Sequence, residues 1–160
     1  MGTDRLILFA EDDAADALLF RIAIKKAGIP NPIAHVVDGE EAINYLSGTG
    51  IYSDRIEFPV PSVLITDLKM PKISGFDLLA WVQSQPQFNS LPTIVLSGSA
   101  EQIDRDRALA LGAQAYWVKP VAPDCLVQLL HGLKEKRLTS VNKALPIPAL
   151  PDLRLGVRFY

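Results

Sequence analysis

Residues 62–79 read SVLITDLKMPKISGFDLL, and this stretch decides the fold. Residues 62–66 form a short apolar run of strand length that ends by delivering an acid, Asp67. Met70-Pro71 and Ser74-Gly75 supply turn residues, and a helix is predicted over 76–83. Working outward, the same unit recurs. Residues 6–10 are apolar and stop abruptly at Glu11-Asp12-Asp13. Asp13 can cap a following helix in which Leu18, Leu19 and Ile22 recur at helical spacing, and Gly28 with Pro30 stops it. Further strands are predicted at 33–37, 93–97 and 114–118, and further helices at 40–46, 101–111 and 123–137. Five strand–helix units with apolar strands imply an α/β fold, a doubly wound parallel sheet with helices on both faces.

Hydrophobic residues make up 49% of the 160 and charged residues 21%, which is the balance of a globular chain. Sixteen basic against eighteen acidic residues give a net charge of −2, and the only basic stretch is Lys134-Glu135-Lys136-Arg137. This argues against nucleic acid as a direct partner. One cysteine, Cys125, excludes an internal disulfide framework. No apolar run approaches the roughly 20 residues that span a bilayer, and the N-terminus lacks a basic, apolar leader. No membrane association is expected, and the cytoplasm is the expected location.

In an open parallel sheet, ligands bind beyond the C-terminal ends of the strands. Those ends carry Glu11 and Asp12, Asp67, Ser97 and Lys119: three carboxylates, a hydroxyl and an ammonium. Gathered carboxylates repel one another, and a hard divalent cation is the natural remedy. Mg2+ takes oxygen ligands and is commonly held by one or two carboxylates plus phosphate, whereas Zn2+ would want His or Cys. A carboxylate beside such an ion can attack a phosphoryl group to give an aspartyl phosphate, with Lys119 and Ser97 neutralising its oxygens. Each residue alone also has a plain reading: Asp12 and Asp13 as helix caps, Asp67 as the head of a turn. The set at four strand ends outweighs those readings.

The stretches LILFAEDD, SVLITDLKMPKISGFDLL, TIVLSGS and GAQAYWVKPVAPDCL, in this order over roughly residues 5–135, resemble the receiver domain of two-component response regulators, the CheY-like family. The resemblance implies a flavodoxin-like strand order 2-1-3-4-5. It implies that Asp67 is phosphorylated and that Glu11, Asp12, Asp67 and the backbone carbonyl of Lys69 hold Mg2+. It further assigns Ser97, with Gly98 beside it, and Lys119 to the phosphoryl group, Tyr116 to the switch, and a cis peptide to Lys119-Pro120. Ser stands at 97 where the family more often has Thr, and Lys69 and Ser99 fill positions that tune phosphoryl lifetime. The implied partners are a sensor histidine kinase, an unidentified downstream protein, and a second copy through the fourth and fifth helices. The long segment 48–61 (GTGIYSDRIEFPVP) resembles the small single-domain regulators of phytochrome-type kinases, and is expected to face a partner.

The receiver is expected over 1–137. The tail 138–160 contains LPIPALP, biased to polyproline II, then apolar residues alternating over 153–159; it is too short for an output domain. Ser47-Gly48-Thr49-Gly50 follows a helix and not the first strand, so it is not read as a phosphate loop. His35, His131, Cys125, Trp81 and Trp117 are read as structural. Two rival readings stand beside this one: an Mg2+-dependent phosphohydrolase using the same Asp67, which would turn over a phosphate monoester, and a flavin-binding carrier of the same fold, which would be yellow.

Overall fold

The computed structural model describes residues 5–135. The tail 138–160 and the last two residues of the predicted final helix lie outside them. The elements are β1 (Ile7–Ala10), α1 (Ala14–Lys26), β2 (Ile33–Val36), α2 (Gly39–Ser47), β3 (Val63–Thr66), α3 (Gly75–Ser84), β4 (Thr93–Ser97), α4 (Gln102–Ala110), β5 (Ala115–Val118) and α5 (Pro123–Glu135). Short 3-10 turns lie at Gly50–Tyr52 and Pro86–Phe88. The five strands pair in parallel in the order β2-β1-β3-β4-β5. The alternation of strand and helix thus produces the expected doubly wound sheet, with boundaries shifted by a residue or two.

Side chains alternate across each strand, so one sheet makes two cores. Ile7, Phe9, Val63, Ile65, Ile94, Leu96 and Trp117 point to one face, where α1 and α5 supply Phe20, Ile24, Leu126 and Leu129. Leu8, Ala10 and Leu64 point to the other, beneath α2 and α3, and Val95 and Tyr116 continue that face under α3 and α4. Each fully buried large apolar side chain contributes about 1.5–3 kcal/mol.

The face of α1 differs from the expectation. Ala17, Phe20 and Ile24 are buried, whereas Leu18, Leu19 and Ile22 are 58%, 59% and 41% exposed. Both sides of this helix are apolar, so periodicity alone does not select one. The Asp13 side chain, which accepts from the Asp16 N–H, sets where the helix starts, and Phe20 then stacks on Phe9 with ring centroids 4.2 Å apart.

Segment 48–61 folds back onto α2. Tyr52 lies between Tyr45 and Phe58, with centroids 5.0 and 5.1 Å away. Tyr45 donates to the Pro59 carbonyl at 3.0 Å, and Tyr52 donates to Glu41 Oε1. Arg55 donates to the carbonyls of Tyr45 (2.8 Å) and Leu46 (2.6 Å) in the last turn of α2 and to that of Phe58 (3.1 Å) in the loop. Gly48 turns the chain at φ 68°, and a Cβ there would come within 2.8 Å of the Arg55 guanidinium. Arg55→Ala should therefore lower stability by about 2 kcal/mol, since three charge-assisted hydrogen bonds that pin the loop to α2 are lost. The checks are a lower urea midpoint and new protease cuts within 48–61.

Candidate phosphoacceptor site

The ladder carries four chemical groups to one edge. Asp67 continues β3, its N–H donating to the Ala10 carbonyl at 3.0 Å, and Glu11 continues β1 by donating to Val36 at 3.0 Å. Ser97 ends β4, and the Lys119 N–H donates to the Ser97 carbonyl at 2.8 Å. Carboxylate oxygens of Glu11, Asp12 and Asp67 lie within 4.8 Å of one another, the only such group of potential metal ligands among the described residues. Glu11 and Asp67 are buried and Asp12 is exposed. His35 approaches from β2, but its Nε2 meets the Glu11 backbone carbonyl at 2.7 Å and not the carboxylate.

Lys119 reaches across this edge. Its Nζ donates to Asp67 Oδ2 at 2.8 Å and to Asp16 Oδ2 at 2.8 Å. Glu11 Oε1 stands 2.6 Å away and forms a close, buried ion pair with the same ammonium. Burial pushes the Glu11 carboxyl up to about 7, against the opposing pull of Lys119 and the Asp13 N–H. Burial alone would lower Lys119, but the bonds to Asp16, Asp67 and Glu11 outweigh it and hold the ammonium raised. The Lys119-Pro120 peptide is cis.

These features suit a hard cation. The donor set is all oxygen, two of its three carboxylates are buried, and a nearby positive ion would offset the burial that raises Glu11. Lys69 lies in the turn two residues past Asp67, with an exposed side chain.

Two turns hold Asp67 in place. Its Oδ1 accepts from the Leu68 N–H at 2.6 Å, and its own carbonyl accepts from Thr66 Oγ1 at 2.8 Å. The Gly75 N–H donates to the Leu68 carbonyl at 2.8 Å, which ties the start of α3 to the strand end. On the neighbouring turn, Ser97 Oγ accepts from the Ser99 N–H (3.1 Å), and Ser99 Oγ donates to Asp104 Oδ2 (2.6 Å). Tyr116 is buried, and its hydroxyl donates to the Ser99 carbonyl at 2.9 Å. Gly98 is exposed, with open space beside its Cα.

The structure brings Glu11, Asp12, Asp67 and Lys119 together, and sets Ser97 at the end of β4 and Tyr116 within β5, both bonded to Ser99 in the turn after β4. Sequence reasoning missed Asp16 and Asp104. An acid in the first turn of a helix reads as a partner of the helix dipole, which hides any further use. The spacing Glu11-Asp12 to Asp16 is the signal: one turn into α1, a side chain returns to the edge where the strand ended.

The chain is thus an α/β protein with a doubly wound sheet and a carboxylate-centred site, completed by a lysine, at the C-terminal edge of its strands. Residues 7–131 match the model of the response regulator receiver domain, and the chain belongs to that family, whose members signal in a phosphorylation-dependent way. The response regulator Rcp1 of Synechocystis sp. is 27% identical over 86% of this chain and 92% of its own. Its Mn(2+)-bound form superposes with a TM-score of 0.67. The bacteriophytochrome response regulator RtBRR is 33% identical with a TM-score of 0.72, covering 95% of this chain and 90% of that one. The phosphorylated cyanobacterial phytochrome response regulator RcpA is 30% identical with a TM-score of 0.69, covering 86% and 96%.

Proposed function

We propose that this receiver accepts a phosphoryl group on Asp67 from a sensor histidine kinase in a Mg2+-dependent reaction, and signals through protein contacts that the phosphoryl group changes. The observation that carries this reading is the place of Asp67: buried at a strand end, 2.8 Å from Lys119 Nζ and inside the only oxygen cluster of its kind among the described residues. An Asp67 oxygen attacks phosphorus, the P–N bond to the donor imidazole breaks, and the nitrogen keeps the electron pair. Glu11, Asp12, Asp67 and the Lys69 carbonyl would hold Mg2+, which supplies charge neutralisation at the phosphoryl oxygens. Lys119 pairs with one phosphoryl oxygen, and the Ser97 hydroxyl donates to another beside Gly98. The domain thus assists both gain and loss of its own phosphoryl group.

The signal leaves through Ser99. Drawing Ser97 toward the phosphoryl group loosens the Ser99 N–H contact, and Ser99 holds both Tyr116 and Asp104. This connects the site to α4 and β5. Exposed Ile103 on α4 (75%) and Val127 on α5 (49%) support a homodimer through these helices. Likeness to regulators named for phytochromes supports a kinase of that type. No described helix is long and apolar enough to cross a membrane, and the reaction proposed is one of the cytoplasm.

The test is intact mass after incubation with Mg2+ and acetyl phosphate. One added phosphoryl group is expected, absent when the metal is chelated, and mapped to residue 67 after borohydride reduction. Continuous phosphate release without an adduct would instead favour the phosphohydrolase.

A further inference from the structure

We infer that Asp16 is a positioning residue for the phosphoryl-transfer reaction: its carboxylate fixes the Lys119 ammonium so that one N–H stays aimed at the phosphoryl group on Asp67. The inference rests on the function proposed above. It starts from an ammonium with three N–H groups and three carboxylates around it, Glu11 at 2.6 Å, Asp16 at 2.8 Å and Asp67 at 2.8 Å.

These three partners differ in what else they do. Glu11 and Asp67 belong to the oxygen cluster that fits a cation, so their charge is shared. Asp67 also supplies the oxygen for the new bond, so its contact with Lys119 changes once the phosphoryl group is attached. Asp16 lies outside that cluster and answers to Lys119. Its side chain is 38% exposed, against 17% for Lys119, 10% for Asp67 and 0% for Glu11, so it holds the ammonium from the solvent side.

The backbone fixes Asp16 in turn. Its N–H donates to the Asp13 cap at 2.9 Å, and Asp13 donates its own N–H to Glu11 Oε2 at 3.1 Å. The start of α1 is thereby registered against the end of β1, and the Asp16 carboxylate stands at a set distance from the acidic cluster. Lys119 would otherwise regain the rotamers of a flexible four-carbon stem. Without Asp16, one N–H turns to water and the stem no longer has a fixed end on the open side.

The experiment compares wild type, Asp16→Ala, Asp16→Asn and Lys119→Ala, plus the Asp16→Ala/Lys119→Ala double variant. Initial rates of phosphoryl uptake from acetyl phosphate with Mg2+ are the first readout. Asp16→Ala should slow uptake about tenfold, short of the roughly hundredfold that a 1 Å misplacement can cost, because Asp67 and Glu11 still hold the ammonium. Asp16→Asn, which keeps an acceptor oxygen, should recover most of the rate. In the Lys119→Ala background, Asp16→Ala should change nothing further, because the two act as one unit. An equal loss in that background, an unchanged rate in Asp16→Ala, or no recovery in Asp16→Asn would each overturn the inference.

A second readout needs neither metal nor phosphodonor. Nitrogen NMR of the lysine side chains should show an exchange-protected Lys119 ammonium in wild type and Asp16→Asn, lost in Asp16→Ala. If wild type takes up no phosphoryl group while this signal depends on Asp16, the phosphoacceptor reading fails and the positioning contact stands. If uptake is normal but the signal is the same in all of these proteins, the contact fails and the function stands.

Discussion

Asp67→Asn protein should carry no phosphoryl group after incubation with acetyl phosphate and Mg2+, with adduct below about a hundredth of the wild-type level in the intact mass spectrum. The reason is electronic. A carboxamide oxygen is a far weaker nucleophile than a carboxylate oxygen, and the amide also brings one negative charge fewer to the cation site. Shape is preserved: Asn retains an oxygen that can accept from the Leu68 N–H, now 2.6 Å from Asp67 Oδ1. A near-native melting curve should accompany the loss of uptake, which separates chemistry from unfolding. Uptake at the wild-type level in this variant would remove Asp67 from the mechanism.

Gly75→Ala should produce the largest loss of stability from a single added methyl, about 3 kcal/mol or more. A Cβ at this position would lie 2.1 Å from the Asp67 carbonyl oxygen, 2.7 Å from Leu68 Cα and 2.9 Å from the Asp67 carbonyl carbon. All three are backbone atoms, so no side chain can swing aside. The start of α3 must then move off the strand end, breaking the 2.8 Å bond from the Gly75 N–H to Leu68 and displacing Asp67. Both the urea midpoint and the rate of phosphoryl uptake should fall together. Gly98→Ala serves as the comparison, because a Cβ there meets nothing within 4 Å. Equal stability of the two variants would show that the β3–α3 turn yields more easily than its geometry suggests.

The parallel sheet and the gathering of Glu11, Asp12, Asp67 and Lys119 were legible because they depend on chain-local facts, whereas the strand order came from the family resemblance alone. Short apolar runs end in chemically distinctive residues, and parallel pairing then brings those ends to one edge. The buried face of α1 was not legible, since Leu18 and Leu19 are as apolar as Phe20 and only the stacking on Phe9 selects between them. Asp16 was hidden because a helix-start acid has a sufficient local explanation. The shape of 48–61 escaped as well. Its order comes from Arg55 bonding to three carbonyls, and carbonyl direction leaves no trace in residue type.

The ends of the sheet bear on how the domain behaves in a crowd of its own copies. Its edge strands, β2 and β5, are four residues each. Pro32 precedes β2, and the Val37 N–H beyond it is taken by Glu41 Oε2 at 2.9 Å. Beyond β5, the Lys119 N–H is turned inward to Ser97, and Pro120 has no N–H to offer. An intruding strand therefore finds a template only four residues long at either border, with nothing past it to extend the pairing. Such short, closed borders guard the native fold against sheet-to-sheet aggregation, and leave side-chain surfaces as the route by which folded copies can meet.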